Sequence, residues 1–463
     1  MKSFVKHLRH GSLAVALLFS VVAWGQSATD EAKDRHMLNI GLQLLTHGEL
    51  RNGGLNGEEN EPDEAKFLMN RARLTLNYRL NPAPTKDLRG RISLESKVVV
   101  HHLNVWGMKG NTGFNLFEGW AKLTDRSGLF LQAGRQALSY DDERIIGPND
   151  WAMGALSHDV LRLGYEGHGH KAHVILGYNQ NSGNVNGGTY FNKNDAVQQP
   201  YKTMTTLWYH YDVPKVPLGV SLLMMNMGMQ AGEQGADETN AIADRPRTEY
   251  QQLLGGYLTF RPKHFSIEGS YYRQMGTSEV GIDIKAWMAS AKATLSPASN
   301  YGFEVGFDYL SGDKYMSVPQ KGGIGLVKHD VIRGFNLLYG SHHKFYGAMD
   351  FFYVSAYLNG FTPGLQNAYV GACFSPMKNL KLEANYHYLA TATKLTDLNM
   401  TLGHEIELQA SYRLMKEVSL SAGFSFMTGT ETMERLKRAS KDGSLRWGWF
   451  SLNISPSLFT AKW

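Results

Sequence analysis

Side chains at every second position constrain this chain most. In Asn70–Leu80, Ala72, Leu74, Leu76, Tyr78 and Leu80 fall on one side, and Arg71, Arg73, Thr75, Asn77 and Arg79 on the other. Leu88–Val100 sets Ile92, Leu94, Val98 and Val100 against Arg89, Arg91, Ser93, Glu95 and Lys97. Tyr301–Leu310 places Phe303, Val305 and Phe307 opposite Glu304 and Asp308. His404–Leu414 places Ile406, Leu408, Ala410 and Tyr412 opposite Glu405, Glu407, Gln409 and Arg413. Neighbouring side chains of a strand point to opposite faces, so these are strands with one apolar face. A half-buried soluble sheet alternates in the same way.

The connections separate the two cases. Long links at 51–64, 102–113, 141–158, 180–202 and 231–248 take turns with short ones at 126–128, 167–169, 213–217, 262–264, 296–300, 376–378 and 415–417. Short periplasmic turns and long extracellular loops are the mark of a bacterial outer-membrane barrel. The expected fold class is therefore all-β: a transmembrane antiparallel β-barrel of about 18 strands over 26–463. The link at 313–364 is too long for a hairpin. It hides a strand pair or folds into the lumen.

The first residues set a compartment. Lys2, Lys6 and Arg9 precede the apolar run Ser12–Trp24, with small residues at Ala23 and Gly25. That order reads as a secretory signal peptide over 1–25, cleaved after Gly25. The run falls short of the about 20 apolar residues a spanning helix needs, and no later stretch has that length. The chain carries 47 basic and 42 acidic residues; without the leader's three basic residues it is nearly neutral. Such a balance gives no reason to expect nucleic acid. Its single cysteine, Cys373, excludes an internal disulfide and a thiolate metal cluster. The chain ends on an aromatic strand, Trp447–Trp463, which fits an interfacial belt.

Four word-like stretches carry a resemblance: Gly134–Gln136 followed by Asp142–Trp151, then His158–Leu163, Asp308–Asp313 and His342–Phe352. Together and in this order they resemble the alginate export family of outer-membrane barrels, over nearly all of the mature chain. The resemblance implies an 18-stranded barrel with an arginine-rich lumen that passes polyuronate. It leaves the cargo of this chain open.

Charges on the non-apolar face then belong to a lumen. Arg71, Arg73, Arg89, Arg91, Lys97, Arg135 and Arg162 are expected to form a cationic track for carboxylates, with Arg144 added from the loop; guanidinium stays charged and binds carboxylates bidentately. Glu95, Glu118, Glu166, Glu304, Asp308 and Glu383 offset their mutual repulsion. Arg135 shares the parity of Leu129, Leu131 and Ala133, so turning it inward requires a bulge at Gly134. Tyr140–His158 is expected as an outer loop, with Asp141, Asp142 and Glu143 solvated or holding a divalent cation at the surface. The competing reading is that these charges only satisfy one another across a wet wall.

His342, His343, Lys344, Tyr346 and Asp350 are candidates for a segment tucked inside the barrel. His168, His170 and His173 sit near a short turn and read as a solvated cluster more than a metal site. Gly403–Glu407 lacks the second histidine of a zinc protease motif. The methionine-rich Ser221–Met229 reads as one strand. No nucleophile or oxyanion donor accompanies the carboxylates, so no enzyme and no cofactor is expected. The expected function is a passive outer-membrane channel for anionic saccharides, extending to export of an alginate-like polyuronate; the alternative is a less selective porin for small solutes. Its partners are outer-membrane lipid, an anionic oligo- or polysaccharide and, for an exporter, a periplasmic partner; a monomer is expected.

Overall fold

The computed structural model describes residues 35–52, 65–83, 85–106, 113–180, 190, 200–232, 246–313, 331–352, 362–395, 398–437 and 445–463. The leader expected over 1–25 lies outside them. The first strands are β1 (His36–Asn52), β2 (Ala65–Leu80), β3 (Ile92–Val105), β4 (Gly113–Asp125), β5 (Leu129–Gln136), β6 (His158–Gly167) and β7 (His170–Tyr178). The middle holds β8 (Thr203–Asp212), β9 (Leu218–Ala231), β10 (Arg247–Phe260), β11 (Phe265–Thr277), β12 (Asp283–Ala298), β13 (Tyr301–Leu310) and the two-residue β14 (Val331–Ile332). The last are β15 (Leu365–Met377), β16 (Leu380–Ala390), β17 (Thr401–Met415), β18 (Val418–Gly429), β19 (Leu445–Ile454) and β20 (Ser457–Lys462).

Each strand pairs antiparallel with the next through β13, which pairs directly with β15. The ladder then runs to β19, and β19 pairs with β1. Past Pro456, β20 continues the same edge against Met37–Gly41. With β19 and β20 counted as one wall strand and β14 set aside, the sheet is a closed antiparallel barrel of 18 strands. At the closure the His36 amide donates to the Trp463 carbonyl at 2.9 Å, and the two rings stack 5.4 Å apart. No helix among the described residues is long and apolar enough to cross a membrane.

The alternation has the expected sense. Leu74, Val98, Leu131, Leu163, Leu207, Leu254, Phe303, Val370, Leu408 and Phe450 stand exposed around the outside. Their neighbours along each strand turn inward: Met225 and Met227 of β9 are buried while Met224 is out.

What fills the interior is chain, not only wall. Residues 137–157, between β5 and β6, fold into the barrel with Leu138, Ile145 and Ile146 almost wholly buried. Residues 333–352 enter from the β13–β15 link, burying Phe335, Leu337, Met349 and Phe351. The two meet in a short parallel bridge, Ile146 to Tyr339. The Gly147 amide donates to Tyr339 at 2.9 Å, and the Ser341 amide to Glu143 at 2.8 Å. This corrects the reading of Tyr140–His158 as an outer loop. Its apolar residues are too many and too clustered to leave in water. The 313–364 link gives no strand pair among the described residues; β14 lies parallel to Asp283–Ile284, and the rest of the described segment is packing within the barrel.

Two placements of arginine also change. The registers of β4–β5 and β5–β6 run unbroken through Gly134, so no bulge reverses the face of Arg135. Phe130, Gln132 and Gln136 point in, and Arg135 points out at the long-loop end of β5, held by Asp159 at 2.5 and 3.0 Å. That partner and the strand-end position lower the cost of an outward guanidinium, about 2–4 kcal/mol at mid-membrane and near zero at the interface. Gly134 has φ +120° and a Cβ there would meet the Gly119 carbonyl at 2.2 Å, so the glycine serves close strand approach. Arg89 and Arg91 precede β3 instead of lying on it. Asp87 caps the 3-10 turn Leu88–Gly90, accepting from the Arg89 and Gly90 amides. Both arginines are mostly exposed at the short-turn rim, paired with Asp87 and Asp125. Hydrogen bonds from Thr85 and Arg89 hold the Asp87 carboxyl down at about 2.

Candidate functional site

The inner face carries cations on β2, β3, β4 and β6, most of them held by acids, amides or rings beside them. On β2, Arg71 and Arg73 are buried and both reach Asp150 of the inward loop, at 3.4 and 2.6 Å. Arg71 also donates to the Asp150 carbonyl at 3.1 Å and to Gln43 at 3.3 Å. The Arg73 guanidinium lies 4.2 Å over the Phe117 ring, and its buried Nε and Nη2 have no hydrogen-bond partner among the described residues. On β3, Lys97 pairs with Glu118, which also accepts from Trp120 at 3.2 Å. On β6, Arg162 donates to Gln132 at 2.6 Å and to the Tyr140 hydroxyl at 3.4 Å. Lys122 of β4 sits 4.1 Å over the Phe130 ring. These cations lie on the inner faces of neighbouring strands.

Arg144 sits at the centre of the inward segments. It is buried, its guanidinium 3.1 Å from Asp142 and 3.1 Å from Asp308 of β13, and it donates to the Tyr346 hydroxyl at 3.0 Å. The Phe345 ring lies 4.0 Å below it. Burial alone would lower its pKa, yet Asp308, Tyr346 and Asp142 together raise it. Arg144 therefore ties the two segments to the wall and is saturated by protein groups. Glu304 lies on the wall of a cavity of about 130 Å³ beside it, with Asp142, Asp308, Glu268, Lys292 and Lys344. Glu95, nearer the short-turn end, accepts from Arg79 at 2.6 Å.

The loop carboxylates are consumed too. Asp141 accepts from the Trp208 indole at 3.1 Å and from Tyr272 at 3.5 Å, and burial pushes its carboxyl up. Glu143 accepts from Ser139 and pairs with Lys344. With Asp142 on Arg144, all three are half-buried and held by protein groups inside the barrel, not on an outer loop. Among the described residues no His, Cys, Asp and Glu group is arranged for a metal ion.

The second segment is seated on an aromatic cluster that local pattern did not reveal. His343 stacks on Trp151 at 4.1 Å and pairs with Asp350 at 2.9 Å. Trp151 packs edge-on to Trp449 at 4.8 Å, and His47 stacks on Trp449 at 5.8 Å. Burial lowers the pKa of His342, whose ring meets the Leu337 carbonyl at 3.1 Å. Further along, Glu405 and Glu407 of β17 accept the Met349 and Ala348 amides at 2.8 and 2.6 Å. Gly347, with φ +93°, allows that approach, since a Cβ would meet Glu405 at 2.3 Å. Of the histidine run, His168 and His170 bond the Tyr165 and Tyr209 hydroxyls at the short-turn end. His173 faces inward between Tyr140 and Glu166. Lys122 was legible in the β4 alternation. Asp150 and Trp151 were not, because their partners are remote in sequence.

No family model matches the sequence, and no curated protein does. Solved structures do match in fold. Acinetobacter baumannii OccAB1 aligns with TM-score 0.59 at 12% identity, covering 93% of this chain and all of its own. Pseudomonas aeruginosa OpdL aligns at 0.57 and 13%, covering 91% and 99%. Pseudomonas aeruginosa OpdQ aligns at 0.56 and 12%, covering 94% and 100%. What they share with this chain is the 18-stranded barrel.

Proposed function

We propose that this chain is a passive outer-membrane channel for anionic solutes, small carboxylate-bearing saccharides foremost. The Occ and Opd barrels it resembles are outer-membrane porins, which supports both the location and a channel. The apolar outside and polar inside suit a barrel solvated by lipid. The observation that carries the charge preference is the file of Arg71, Arg73, Lys97, Lys122 and Arg162 along one inner wall. Guanidinium and ammonium groups spaced along a wall give a carboxylate many weak sites, so it enters and also leaves.

Two chain segments inside the barrel narrow the path, which favours single sugar acids over a long polymer. Export of an alginate-like polyuronate, with a periplasmic partner, requires those segments to be displaced. A less selective porin is the second reading, favoured by the acidic partners already on Arg71, Arg73 and Lys97. A monomer suffices, because closure already satisfies the backbone.

The test is the reversal potential of single channels in a salt gradient, repeated with glucuronate on one side. Anion selectivity that glucuronate blocks, and that weakens in Arg73→Gln, is the expected result. A weakly selective current indifferent to glucuronate would leave the small-solute porin and remove the anion claim.

A further inference from the structure

The short connections gather at one end of the barrel, and their charge is one-sided. Lys86, Arg126, Lys215, Lys263, Lys378 and Lys416 each occupy a different one of these connections, spread around the rim. All six are exposed, and none forms an ion pair among the described residues. Of the acids at this end, Asp87 pairs with Arg89, Asp125 with Arg91 and Glu383 with Lys381, while Glu417 follows Lys416 in the same connection. The six cations still outnumber that one acid, so the rim keeps a net positive charge.

A second observation says what that charge faces. Large apolar side chains stand exposed within two residues of five of these cations: Leu88 (70%), Val216 (45%), Phe265 (38%), Met377 (53%) and Met415 (54%). A soluble polyanion would match the cations and leave these groups in water. A membrane surface matches both, with the apolar groups at the acyl boundary and the cations among phosphates. From this pairing we infer that the short-turn rim is a collar binding the phosphate head groups of anionic phospholipids in the leaflet it faces. The inference rests on the membrane-spanning reading of the barrel and is independent of what the channel carries.

The full chain is inserted into vesicles of phosphatidylethanolamine alone or mixed with phosphatidylglycerol, and lipid retained after detergent extraction is identified by native mass spectrometry. Phosphatidylglycerol is expected to be enriched. The enrichment weakens by up to about fivefold for each cation changed to glutamine, and fades at high salt. Unheated gel mobility reports insertion separately. A variant with all six changed to glutamine that inserts normally and keeps the full phosphatidylglycerol preference overturns the collar alone. A wild-type chain that inserts without preference, yet binds uronate oligomers through these six cations, also overturns it in favour of a polyanion mouth. A chain that never inserts overturns the membrane reading and the collar together.

Discussion

Arg144 shows how much one side chain organises here. Its guanidinium meets two carboxylates, a tyrosine hydroxyl and an aromatic face. Replacing it leaves Asp308, itself almost wholly buried, and Asp142 without their cation. Loss of one partner of such a buried set costs about 3–5 kcal/mol. Arg144→Met is expected to keep the barrel wall and loosen the inward segments. Single-channel conductance should rise and become noisier; an unchanged trace would mean that Arg144 is not what holds them. Arg135 teaches the opposite lesson. Its charge suggested the lumen, yet Asp159 beside it made the outer rim tolerable.

Among the elements, the wall was legible and its filling was not. Strands announce themselves locally, as where Ile406 and Leu408 alternate with Glu405 and Glu407 along β17. The segments at 137–157 and 333–352 have no period. Their order comes from partners far along the chain, such as Arg144 with Asp308 and Trp151 with His343. Local reading places His342–Asp350 inside the barrel as a candidate, but it leaves the first segment outside and Asp141–Glu143 in water. It also runs the β3 alternation back through Arg89 and Arg91, missing the cap at Asp87 that starts the strand afresh. Replacing 334–351 by a short glycine-serine linker should enlarge the conductance more than Arg144→Met does. If the linker variant conducts like the parent, the segment does not narrow the path.

The molecule as a whole presents an apolar outside and a charged inside, so neighbouring residues of one strand should respond oppositely to the same change. Leu408 lies mid-strand and outward, while Gln409 next to it faces in. Leu408→Arg should cost about 2–4 kcal/mol of folding stability in bilayers, and Gln409→Arg little. Urea titration of folding into lipid vesicles measures both, and equal costs would contradict a lipid-facing exterior. The contact between Arg144 and Asp308 has a consequence for assembly. It joins a residue laid down before β6 to one on β13, so it forms only after both stretches of wall exist. A two-residue slip of β13 would move Asp308 by about 7 Å, beyond the reach of that guanidinium. The interior thus acts as a proofreader of the wall: only a barrel built in the right register can fasten its own contents.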